Sequence, residues 1–118
     1  MRGRRAADRG FATAEAAVAL PVLVVLLVAA LSAVAGVTAQ MRCVDAARET
    51  VRAAARGDTG APAVGRRVAP SGAAVSVTRD SRMVRSVVSA RVRPLGPWFP
   101  AVTVRATAVA VVEPGGSP

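Results

Sequence analysis

Among the side chains that could do chemistry, one carboxylate stands apart. Glu15 opens a stretch in which residues 16–41 carry no charge at all, so its own charge must be carried where water is scarce. A carboxylate in such surroundings costs on the order of a few kcal/mol at the centre of a bilayer and less near its edge, and it calls for a partner. No basic residue follows within a turn or two; Arg5 and Arg9 lie on the tail before it. The other candidates are weaker. Cys43 is the only cysteine, which excludes an intramolecular disulfide and any zinc or iron–sulfur centre built from thiolates. Its expected place is a helix face, as a small apolar residue, with intermolecular pairing as the alternative. Ser71, Ser76 and Thr78 have no histidine or lysine anywhere in the chain to activate them, and no phosphate-binding glycine loop or metal-ligand cluster is visible. The chain therefore reads as a non-enzyme with no metal and no cofactor.

These residues must be positioned by a membrane helix. As a helix, residues 16–41 would reach about 39 Å, more than the roughly 30 Å of a hydrocarbon core. The tail before them, MRGRRAADRG, carries Arg2, Arg4, Arg5 and Arg9 against Asp8, which predicts a cytoplasmic N-terminus and an extracytoplasmic remainder. Arginines beyond the other end, at Arg42, Arg48, Arg52 and Arg56, make that charge signal two-sided. Small residues at Ala33-Val34-Ala35 and Val37-Thr38-Ala39 leave signal-peptidase cleavage as a competing reading. Against it stand the length of the apolar run and the presence of Glu15. Pro21 removes one backbone hydrogen bond, at the Ala17 carbonyl, and permits a kink.

The string DRGFATAE followed by AAVALPVLVVLL resembles the start of a type IV prepilin, and most closely a TadE-like minor pilin of the tight-adherence system. The matching elements are a short basic leader ending in Gly10, the apolar Phe11, the acid Glu15, and Pro21 in the first turns of the helix. The resemblance implies cleavage between Gly10 and Phe11 by a membrane-embedded prepilin peptidase, and partnership with other pilin subunits and a pilus assembly platform. It also implies a partner for Glu15: the amine of a neighbouring subunit's new N-terminus. Two groups costly alone become tolerable when paired in a poorly solvated setting, and such a pair fixes axial register more than it adds stability. Ala16 stands where an aromatic often follows the glutamate, and the remainder is longer than that of a minimal major pilin. Both departures favour a minor pilin or pseudopilin.

Past Met41, the stripe Val44, Ala47, Val51, Ala54 and Ala55 has helical spacing, so the helix is expected to run to about Arg56. Asp45 with Arg48, and Glu49 with Arg52, fall at neighbour spacing on its solvated face. Gly57 and Asp58 end it, and Gly60 and Pro62 argue against resumption, leaving residues 58–72 as a loop with a short helical turn near Val64 to Val68. Three alternating runs follow, at residues 73–79, 84–93 and 102–112, the first two joined by Asp80, Ser81 and Arg82. The predicted fold is α+β and pilin-like: a long N-terminal helix, membrane-spanning in its first half, packed on a small three-stranded antiparallel sheet. Its parts are a leader at 1–10, a transmembrane helix at 11–41, an amphipathic continuation at 42–57, the loop at 58–72, the β domain at 73–112 and a disordered tail at 113–118. Trp98 and Phe99, set between prolines in LGPWFP, are expected to form a lid on the sheet core, with an exposed subunit contact as the alternative.

All 16 basic residues are arginine, against 7 acids, for a formal charge of +9. With three aromatics in the chain and no nucleic-acid module, the scattered arginines do not make a phosphate-reading face, and no nucleic-acid partner is expected. The alternative to a minor pilin is an uncleaved single-span protein of the cytoplasmic membrane whose basic outer domain binds envelope polymer or lipid.

Overall fold

The computed structural model describes residues 2–112; the tail expected at 113–118 lies outside them. The elements are α1 (Arg2–Ala55), α2 (Ala61–Val68), β1 (Ala74–Arg79), β2 (Met83–Val92) and β3 (Val102–Val111). This is the α+β arrangement of one long apolar N-terminal helix and a small antiparallel sheet. The chain divides into two compact units, one ending at Ala33 and one beginning at Val34, and α1 contributes to both.

In the first unit α1 is the only element, and its apolar side chains have nothing to pack on: Phe11 is 78% exposed and Leu23 62%. Hydroxyls along α1 turn back to the helix. Thr13 donates to the Arg9 carbonyl at 2.9 Å and Ser32 to that of Val28 at 2.7 Å, so neither leaves a bare polar group on an apolar face.

The second unit is built on a sheet of order β1-β2-β3. Antiparallel pairing sets Val75 opposite Val88, Val84 opposite Ala110 and Val88 opposite Ala106. Side chains alternate between faces along a strand, so Val84, Ser86, Val88 and Ala90 of β2 turn inward together with Val104, Ala106, Ala108 and Ala110 of β3. The C-terminal part of α1 covers this face. Cys43, Ala46 and Ala47 pack with Val88, Ala90 and Ala106, while Val51, Ala53 and Ala54 pack with Val84 and Ala61. The largest side chains under 2% exposed are Val84, Val88, Thr50, Cys43 and Ser86, so this core is thin and its backbones lie close.

α1 ends on Gly57, whose φ of 85° suits glycine. The Gly57 amide donates to the Ala54 carbonyl and the Asp58 amide to that of Ala53, each at 3.0 Å, the pattern of a Schellman cap. The Arg79 guanidinium donates to the Ala54 carbonyl at 2.8 Å, placing a cation at the negative end of the helix dipole.

Two expectations are corrected. The segment read as a loop with a short helical turn near Val64 to Val68 holds the eight-residue α2, which starts earlier, with Pro62 in its first turn. There a proline lacks only an amide that has no helical partner and its fixed φ suits the helix, so it starts the element instead of blocking it. Trp98 is no lid: it is 91% exposed and Phe99 51%. A core of valine and alanine width offers an indole no seat, and two tight turns hold the LGPWFP loop outward.

Candidate processing and assembly site

The residues that the prepilin resemblance singles out all lie on the first stretch of α1. Gly10, Phe11, Glu15 and Pro21 belong to one uninterrupted helix, and all four are exposed. Gly10 does not have the positive φ that would explain a glycine. A Cβ built there meets nothing within 4 Å. Glycine in a helix interior costs roughly 0.5–1 kcal/mol relative to alanine, so neither backbone geometry nor packing calls for it at this position.

Glu15 projects from the helix one turn beyond Phe11. Among the described residues, no hydrogen bond or ion pair reaches its carboxylate, whereas Glu49 pairs with Arg52 at 3.7 Å on the solvated part of the same helix. The valines and leucines that follow Glu15 are uncovered, Val18 at 69% and Leu20 at 61%. The helix is long and apolar enough to cross a membrane. At Pro21 the helix continues without a break, so the missing hydrogen bond is a local loss.

The pattern of the TadE-like protein family matches residues 10–52, from Gly10 through Glu15, Pro21 and Cys43 to Arg52. The protein named apoptosis inhibitor Rv3655c, from Mycobacterium tuberculosis (strain ATCC 25618 / H37Rv), is 44% identical over 104 residues, covering 87% of this chain and 80% of its own length. This chain belongs to the TadE-like family. No solved structure matches it. The identity to the mycobacterial relative extends well beyond the apolar helix of the TadE-like chain, since 104 aligned residues cannot fit within residues 10–52.

Reading the residues missed the contacts that hold the TadE-like chain's second unit together. Gly65 of α2 faces Thr50 of α1 so closely that an added Cβ would overlap the Thr50 hydroxyl, which donates to the Ala46 carbonyl at 2.7 Å. Gln40 donates through Nε2 to the Arg105 carbonyl at 3.0 Å, tying α1 to β3. A small residue beside a threonine across a helix pair is the signal that could have found the first; nothing local marks the second. Cys43 is fully buried, and burial pushes its thiol pKa up, away from the reactive thiolate.

Proposed function

We propose that this chain is a minor pilin of a tight-adherence type IV pilus, inserted through α1, cut between Gly10 and Phe11 by a prepilin peptidase, and carried into the assembly with other pilin subunits. The observation that carries the reading is Glu15: an acid with no hydrogen-bond or ion-pair partner among the described residues, on the first stretch of a helix where the apolar side chains are uncovered. Trimming after Gly10 would create a free amine at Phe11, and the same amine on a neighbouring subunit is the partner such an acid calls for. A glycine at position 10 that no packing or backbone need explains, and a family match that begins there, support cleavage at that bond. The kink that Pro21 permits would let the helix adjust to its neighbours.

Recovering the protein from membranes and determining its mass and N-terminal sequence tests this directly. A start at Phe11 is expected; a start at Met1 supports the uncleaved anchor, and one at Gly36 or Gln40 a secreted form. Glu15→Gln is expected to insert in the membrane normally yet fail to enter filaments. Normal filament assembly by that variant would remove the register role. The name of the mycobacterial relative favours a second reading, inhibition of apoptosis, which a lower rate of apoptosis in cells exposed to the purified chain would support.

A further inference from the structure

The connection between β2 and β3 carries a feature that filament assembly leaves unused. Two successive turns shape it: the Gly96 amide donates to the Arg93 carbonyl at 3.0 Å and the Phe99 amide to the Gly96 carbonyl at 3.3 Å. Pro94 and Pro97 take the second position of these turns, where their fixed φ is favoured. Gly96 has a φ of 96°, open to glycine and strained for other residues. Arg93 then donates through Nη1 to the Phe99 carbonyl at 3.0 Å, tying the loop back to the strand end. The loop is thus built to hold Trp98 outward, beside Phe99, Leu95 and Val102, each about half exposed. A fixed apolar cluster on a surface marks a place that meets something other than water.

Charge and position say what that is. Residues 81–112 hold five arginines and no acid. Arg91 and Arg105 are exposed on the outer sheet face beside the loop; Arg91 pairs with Thr103, which makes Arg105 its diagonal neighbour. Within the second unit, the packing also fixes which end of the sheet the loop occupies. Gln40 meets Arg105, Cys43 and Ala47 pack with Ala106, and Val51 and Ala54 pack beside Ala110. Advancing along α1 therefore means advancing along β3, away from Trp98. The loop lies at the end of the unit where α1 belongs to the apolar run that ends at Met41.

We propose that this loop is a membrane-interface anchor: Trp98 and Phe99 seat at headgroup depth in the bilayer that α1 crosses, with Arg91 and Arg105 against anionic lipid headgroups. Aromatic residues with one wet and one apolar side favour that zone, and nearby arginines are drawn to the negative surface. The proposal rests on membrane insertion of α1, and its test separates the two.

Trp98 is the only tryptophan and the chain has no tyrosine, so fluorescence reports this loop alone. The full chain is reconstituted in vesicles of phosphatidylcholine and phosphatidylglycerol, with insertion of α1 checked by alkaline extraction and protease protection. The expected result is blue-shifted emission, quenched more strongly by lipids brominated near the headgroup than by lipids brominated deep in the chain. Arg91→Gln with Arg105→Gln is expected to reduce that quenching. Water-like, unquenched emission from a chain with α1 inserted overturns the anchor while leaving the membrane reading intact. A blue shift that bromolipid does not quench and that grows with protein density assigns the loop to a neighbouring copy, which also overturns it. Failure of α1 to insert removes both.

Discussion

Replacing Gly65 with alanine sets two opposed effects against each other in a single methyl group. Alanine is favoured over glycine inside a helix by about 1 kcal/mol, so on propensity alone α2 should gain. The new Cβ, however, falls on the Thr50 hydroxyl and within 3.2 Å of Val75 Cγ1 and 3.3 Å of the Ala46 carbonyl oxygen. Thr50 is fully buried, and rotating its hydroxyl away forfeits the 2.7 Å bond to Ala46. Overpacking of this kind costs about 1–3 kcal/mol, and an unpaired buried hydroxyl a further 1–3 kcal/mol or so. Against the gain in propensity, the net loss is about 3 kcal/mol. Cys43 supplies the assay: it is the only thiol and fully buried, so a maleimide reaches it only when the second unit opens. A loss of about 3 kcal/mol accelerates labelling roughly 140-fold. In a Thr50→Ala background the same substitution should cost at least about 1 kcal/mol less, because the overlapping oxygen is gone. Labelling of Gly65→Ala that is no faster than that of the parent would refute the close contact between α1 and α2. Equal costs in both backgrounds would refute the part assigned to Thr50.

Ser86 and Cys43 give two further tests of the same core. The Ser86 hydroxyl is buried with no hydrogen-bond partner among the described residues, so Ser86→Ala should stabilise the unit by about 1 kcal/mol and slow Cys43 labelling about fivefold; faster labelling would mean that the hydroxyl is satisfied. Desolvation raises the Cys43 pKa above its ordinary value of 9.0. A raised folded pKa gives stability that is complete below the unfolded value and is lost as pH rises towards the folded one. Resistance of the second unit to an alkaline protease should therefore fall above about pH 9, and fall less steeply in Cys43→Ala; equal slopes would sink the assignment.

What could be read from the chain, and what could not, divides along the range of the forces involved. The strands were legible because alternation is local: Val88 and Ala90 face in while Arg91 faces out for the same reason in any half-buried sheet. The end of α1 was legible because Gly57 marks a backbone conformation. α2 was legible only in part: the helical turn expected near Val64 to Val68 is its second half, while its start was hidden because Pro62 and Gly65 both lower helix propensity, and only contact with α1 explains a glycine at 65. The outward position of Trp98 was hidden too, because an aromatic between prolines is compatible with a lid or with a tip. What decides between them is the width of a core made by Cys43, Ala46 and Val88, set by two separate parts of the chain, α1 and β2.

Glu15 belongs at the other extreme. The cost of a carboxylate on an uncovered apolar helix depends little on the rest of the fold, so its need for a partner follows from a short stretch of sequence. Gly10 required more: its type gains meaning only from the resemblance, since the open space around it in the structure is shared by Gly3 and Gly36. The two residues constrain one another. If Gly10 marks a cleavage site, Phe11 becomes a terminus whose amine lies one helical turn from Glu15, and the same amine on a neighbouring subunit is the partner that the proposed register requires. If cleavage does not occur, that amine does not exist, and Glu15 must find its cation on the arginine-rich tail. Determining the N-terminus therefore also decides which cation could satisfy the acid.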